Sequence, residues 1–131
     1  MLTEKDYCDY DTCVALKELG YIGSSRYYYT QRDRMFHCDA YNMLYTVRTA
    51  DAMGYVLAVH LYDAQKWLRE EKDMNVYVKA FNGEGWYYII QNYKGARIYP
   101  PLTQILILCH SYEEALLEGI KEAIKILKEE K

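Results

Sequence analysis

An α+β fold follows from three observations in this 131-residue chain. Apolar residues recur at three- and four-residue steps in separate segments. Aromatic or alternating runs stand in pairs around polar turns. An unambiguous capping box opens the last apolar stripe. Together they predict an antiparallel sheet built from hairpins and packed by about three helices, in the order αββ-αββ-α. At this length one domain, residues 1–131, is expected, burying about two-thirds of the surface that the unfolded chain exposes.

Asp9 reads as the N-cap of a helix from about Tyr10 to Leu19, and Gly20 as its stop. Tyr21 and Ile22 are placed for the apolar contact that accompanies such endings. Arg26-Tyr27-Tyr28-Tyr29-Thr30 and Met35-Phe36-His37-Cys38 then flank polar Gln31-Arg32-Asp33-Arg34, which is a hairpin pattern. From Asp39 to His60 no single period holds, and Tyr55-Val56-Leu57-Ala58-Val59 fits either a strand or an early turn of the next helix.

That helix runs from about Leu61 to Lys72, with Leu61, Ala64, Trp67 and Leu68 inward and Lys66, Arg69 and Glu70 outward. Met74 to Phe81 alternates Val76, Val78 and Ala80 with Tyr77, Lys79 and Phe81, the mark of a strand with two different faces. Asn82-Gly83-Glu84-Gly85 supplies a reversal, and Trp86-Tyr87-Tyr88-Ile89-Ile90 is the partner strand. Thr103 to Cys109 is expected as a further strand, preceded by Pro100-Pro101. In Ser111-Tyr112-Glu113-Glu114 the serine hydroxyl caps a helix whose buried stripe should be Tyr112, Ala115, Leu116, Gly119, Ile120, Ala123, Ile124 and Leu127. A shift of 52 residues lays Tyr10-Asp11 over Tyr62-Asp63 and Leu16-Lys17-Glu18 over Leu68-Arg69-Glu70, so the element order fits an internal pseudo-repeat.

Four segments carry a resemblance across most of the chain. These are Val14-Ala15-Leu16-Lys17-Glu18-Leu19-Gly20-Tyr21, Gln65-Lys66-Trp67-Leu68-Arg69-Glu70, Gly85-Trp86-Tyr87-Tyr88 and Ser111-Tyr112-Glu113-Glu114-Ala115-Leu116. The combination resembles small proteins encoded by phages and prophages of gut anaerobes, to which no activity is assigned. The resemblance implies a mobile-element origin and no catalytic residue. The chain departs from that pattern at Met53 to His60, which is apolar and proline-free where the similar proteins have a short tract with a proline.

Composition excludes several classes of function. The longest uncharged stretch, Ile98 to Ser111, contains two prolines and falls short of the roughly 20 apolar residues that cross a bilayer. The charged start, Met1-Leu2-Thr3-Glu4-Lys5-Asp6, is unlike a secretory signal, so a cytoplasmic location is expected, with Cys8, Cys13, Cys38 and Cys109 as thiols. A net charge of −3 disfavours nucleic acid as a partner. No glycine-rich phosphate loop is present.

His37-Cys38 and Cys109-His110 suggest metal ligation, but neighbouring strand residues point to opposite faces, so each pair offers one ligand easily. Ordinary buried thiols beside unremarkable histidines explain them more simply. A Cys–His nucleophile has no local signature, and the paired glutamates lie on charged helix faces or ends. No metal, cofactor or catalytic residue is therefore assigned, and the chain is expected not to be an enzyme.

Tyrosine is the outstanding feature, with 16 residues. Such rings can simply pack a sheet while keeping the hydroxyl wet, and they are also enriched at interfaces. The candidate binding face is Tyr27, Tyr29, Tyr77, Phe81 and Tyr87. A continuous patch of this kind is expected to be covered by a second copy, by a protein partner, or by the segment from Asp39 to His60. Nucleic acid stacked on the sheet is the alternative.

Overall fold

The computed structural model describes residues 4–41, 43–101 and 107–130. It is α+β, and its cores divide between two compact units, Met1–His60 and Leu61–Lys131.

In the first unit, α1 (Tyr10–Glu18) begins where the Asp9 carboxylate accepts from the Thr12 amide at 2.9 Å. It ends in a Schellman arrangement: Gly20, at φ +100°, donates to Lys17, and Tyr21 donates to Leu16. Tyr21 is buried there, while Ile22 faces solvent.

Strand β1 (Ser24–Ser25) leads into β2 (Tyr27–Thr30) and β3 (Phe36–Cys38), the expected hairpin, with Tyr28 opposite His37. Asp33 holds its turn by accepting from the Thr30 hydroxyl and the Met35 amide. The segment from Asp39 to His60 then forms β4 (Tyr45–Thr46), α2 (Val47–Ala52) and β5 (Tyr55–Leu57). β4 pairs with β1, and β5 adds to β2 to give the antiparallel order β3-β2-β5. Tyr55 to Leu57 is therefore strand. The short α2 is fixed by a capping box between Thr46 and Thr49, a threonine pair in place of the usual Ser/Thr and Glu/Gln.

The second unit opens with α3 (Leu61–Lys72), which buries Leu61, Ala64 and Leu68. Asp73, at φ +54°, ends it, and the Met74 amide returns to the Leu68 carbonyl. Strands β6 (Asn75–Phe81) and β7 (Gly85–Gln91) pair in register from Asn75–Gln91 to Phe81–Gly85. Asn82 and Gly83 both have positive φ, as the primed reversal between twisted strands requires. The Gln65 side chain donates to the Val76 carbonyl at 2.7 Å, occupying a main-chain acceptor of β6 at the edge of its sheet.

A third strand, β8 (Arg97–Tyr99), joins β7 through a bulge at Ile90–Gln91. The sequence gives no signal for it, since Arg97 to Tyr99 is three residues long and abuts Pro100. Most of the strand expected at Thr103 to Cys109 lies outside the described residues. Of the part described, Cys109 makes an isolated antiparallel bridge with Trp86.

Helix α4 (Tyr112–Glu129) packs across β6 and β7. The Ser111 hydroxyl accepts from the Glu114 amide at 3.1 Å, the forward half of the capping box. Ala115, Leu116, Gly119, Ile120, Ala123 and Ile124 are buried, whereas Leu127, near the end of the helix, is half-buried. Gly119 is where the helix comes nearest to the sheet. A Cβ there would lie 2.5 Å from Val76 Cγ1 and 3.0 Å from the Tyr88 ring.

Two substitutions measure this packing. Ile120→Ala should cost about 2–5 kcal/mol in urea unfolding, because the side chain is fully buried. Gly119→Ala adds a better helix former yet should destabilise by about 1–3 kcal/mol through overpacking.

Candidate functional site

In the first unit the tyrosines form two layers on opposite sides of one sheet. Tyr27 stacks on Phe36 at 5.4 Å and lies 4.9 Å from the Tyr7 ring, and Tyr29 meets Phe36 and Tyr10 edge-on. Tyr29 is only 2% exposed, and its hydroxyl donates to the Cys8 carbonyl at 2.7 Å. The expectation that Tyr29 belongs to a binding face is thus corrected. Its ring is core, and its hydroxyl answers a buried main-chain acceptor. Tyr27 is half-buried in the same layer and shares its ring contacts.

The opposite layer stacks Tyr28 on Tyr55 at 4.0 Å, with His37 parallel to Tyr28 and Tyr45 meeting both tyrosines edge-on. Tyr45 comes from β4, so the segment between Asp39 and His60 packs against this face of the unit's own sheet. Asp39 anchors that segment. Its carboxylate accepts from the Tyr41 and Met43 amides and from the Tyr45 hydroxyl.

In the second unit, the pairs Val76–Ile90, Val78–Tyr88 and Ala80–Trp86 lie on the side of α4. Tyr77–Ile89, Lys79–Tyr87 and Phe81–Gly85 lie on the other. On that far face Tyr77, Phe81 and Tyr87 are half-exposed and Lys79 is exposed, while Ile89 is buried. Lys79 Nζ sits 5.9 Å from the Tyr77 ring centroid, and Phe81 meets Tyr87 edge-on at 6.2 Å. Arg97 pairs with Gln91 across the bulge that joins β8 to β7. These strand positions of β6 and β7 therefore carry one cation, Lys79, and no carboxylate. Three of the five sequence candidates, Tyr77, Phe81 and Tyr87, gather here.

At the hairpin end, on the α4 side, Ala80, Gly83, Glu84, Gly85, Trp86 and His110 line an open cleft of about 300 Å³. Trp86 is held by two main-chain hydrogen bonds with Cys109 and by an edge-on contact with Tyr112 at 5.7 Å. Gly85 is required, because a Cβ would stand 2.9 Å from the Cys109 carbonyl oxygen. Sequence reasoning passed over this cleft. Its one legible signal was the Asn-Gly reversal, which placed Glu84 and Trp86 at a tip but gave no hint of His110 beside them.

The thiols and imidazoles are dispersed. Cys8 and Cys13 are buried together, with Cys13 Sγ donating to the Cys8 carbonyl and accepting from the Val59 amide. The hydrogen bond with Cys13, then burial, pushes the Cys8 thiol well above its ordinary range. Burial likewise raises Cys109. His37 is half-buried, with its Nε2 unpartnered among the described residues, and Cys38 beside it is exposed. Among the described residues no three His, Cys, Asp or Glu side chains are grouped to hold a metal ion. No described helix is long and apolar enough to cross a membrane. No family model, curated protein or solved structure matches the chain.

The buried phenols set a pH dependence. The hydrogen bond to Asp39, then burial, pushes Tyr45 up to about 12 from the ordinary 10.0. Burial, then the Tyr55 hydroxyl, raises Tyr28. A raised phenol stabilises the fold fully below its unfolded value and stops doing so as pH climbs through the folded one. The melting temperature should therefore fall between pH 10 and about 12, and Tyr45→Phe should flatten part of that fall. Asp39 is shifted downward, mainly by the Met43 amide, so its contribution holds above the ordinary carboxylate value and is lost only as pH falls through the depressed one.

Proposed function

We propose that this chain is a non-catalytic interaction module that binds a partner protein through the face formed by Tyr77, Lys79, Phe81 and Tyr87. One observation carries the reading: three half-exposed rings and the Lys79 cation share a sheet face whose strand positions hold no carboxylate. Exposed aromatics with few carboxylates are what protein interfaces select. Nucleic acid is the weaker reading, because Lys79, the cation of these strand positions, already sits over Tyr77 and the chain carries a net charge of −3. The raised Cys8 and Cys109 thiols keep their protons at neutral pH and offer no ready nucleophile, which supports a non-catalytic role. Unbridged cysteines fit a reducing, cytoplasmic setting. The mobile-element origin rests on the sequence resemblance alone.

The test compares the wild type with Tyr77→Glu. The variant should keep its circular dichroism and melting temperature and weaken partner binding by roughly tenfold or more, as for a central interface residue. Light scattering over a concentration series separates a second copy from another protein as that partner. If both proteins retain the same partners with equal affinity, the reading fails. Salt-sensitive binding to a single-stranded oligonucleotide, abolished by Tyr77→Glu, would transfer the face to nucleic acid.

A further inference from the structure

The cleft at the hairpin end contains chemistry that the aromatic face does not use. Its lining offers one carboxylate, Glu84, one indole, Trp86, and one imidazole, His110, and no cation. None of the three makes a side-chain hydrogen bond or ion pair among the described residues. The next helix turn adds Glu113 and Glu114, whose acids follow the Ser111 cap directly after His110. The charge within the cleft's own lining is therefore the Glu84 carboxylate, opposite in sign to Lys79 on the far face of the same sheet.

The walls are also preformed. Positive φ at Asn82 and Gly83 fixes the reversal, and the Cys109 carbonyl closes on Gly85 too tightly for any side chain. Trp86 is pinned through its main chain and by Tyr112. A pinned indole loses little entropy when something stacks on it. Small residues at Ala80, Gly83 and Gly85 leave the space in front open. A volume of about 300 Å³ is at the small end for ligand sites and suits one side chain better than a cofactor.

We infer that this cleft receives an arginine side chain from the partner protein, its guanidinium against the Trp86 ring and bonded to the Glu84 carboxylate. A planar guanidinium can stack on an aromatic face and still present its fork to a carboxylate, which a lysine ammonium does less well. This deepens the reading of the chain as a protein-binding module, on which the arginine's source rests. The chemistry of the cleft itself stands apart from it.

The probes are N-acetyl-arginine methylamide, the lysine analogue and the glutamate analogue, titrated into the full chain. The Trp86 indole N–H resonance, distinguished from that of Trp67 by a Trp67→Phe control, reports binding. The arginine probe should shift it saturably, with at least about threefold tighter binding than lysine. Glu84→Gln should weaken arginine binding by about fivefold, the upper range for an exposed charge pair, and Tyr77→Glu should leave it unchanged. Glu84 is exposed in the turn, so that variant is expected to fold normally. An unmoved indole, an equal response to glutamate, lysine binding as tight as arginine, or an indifferent Glu84→Gln would each overturn the assignment. The aromatic-face reading fails separately, if Tyr77→Glu keeps its partner.

Discussion

The approach of α4 to the β6–β7 hairpin at Gly119 decides which side of the second unit's sheet is core. No side chain larger than a hydrogen fits between the helix backbone and Val76 Cγ1, so the helix lies directly on the alternation that begins at Val76. Once Val76, Tyr88 and Ile90 are committed inward, strand pleating turns Tyr77, Lys79, Phe81 and Tyr87 the other way. A one-residue slip would exchange the two sets and place Lys79 under the helix, at a desolvation cost that no neighbour could offset. The close contact thus fixes both the core and the proposed interface.

The first unit builds its core largely with rings. Its three-stranded sheet is sandwiched between Tyr7, Tyr27, Tyr29 and Phe36 on one side and Tyr28, Tyr45 and Tyr55 on the other. Tyrosine suits so small a core because each ring buries a large area while its hydroxyl can satisfy a polar group that would otherwise be stranded. Tyr29 donates to the Cys8 carbonyl beside Cys13 Sγ, and Tyr45 donates to Asp39 beside the Tyr41 and Met43 amides. The Asp39 carboxylate in turn organises the chain that carries Tyr45 into place.

Local signals were legible and non-local ones were not. The Asp9 and Ser111 caps, the Gly20 stop, the Asn82-Gly83 reversal and the α4 stripe are each decided within a few residues, and each is found where its chemistry puts it. β4 and α2 carry no local signal, and β5 fits either strand or helix locally, because their support is distant. Tyr45 pairs with Ser25, and Tyr55 pairs with Thr30, while the Thr46–Thr49 cap uses a residue that also favours strands. β8 is three residues long and defined wholly by β7. The aromatic face was half legible. Alternation assigned Tyr77 and Phe81 to the side away from the helices, but nothing local could reveal that Tyr29 has a carbonyl waiting for its hydroxyl.

An abundance of tyrosine is therefore a poor guide to function until each ring's surroundings are known. Buried Tyr29 and Tyr45, and half-buried Tyr88 under α4, have hydrogen-bond partners inside the chain and raised ionisation. Tyr77 and Tyr87 are half-exposed, beside a cation and a phenylalanine respectively. The division matters for charge as well. The far face of the β6–β7 sheet holds Lys79, whereas the hairpin end on the other side holds Glu84. A partner reaching around the hairpin tip would meet positive charge on one side and negative charge on the other. Such a pattern fixes the direction in which an extended, charge-bearing segment can lie, because reversing it would set like charges together at both ends.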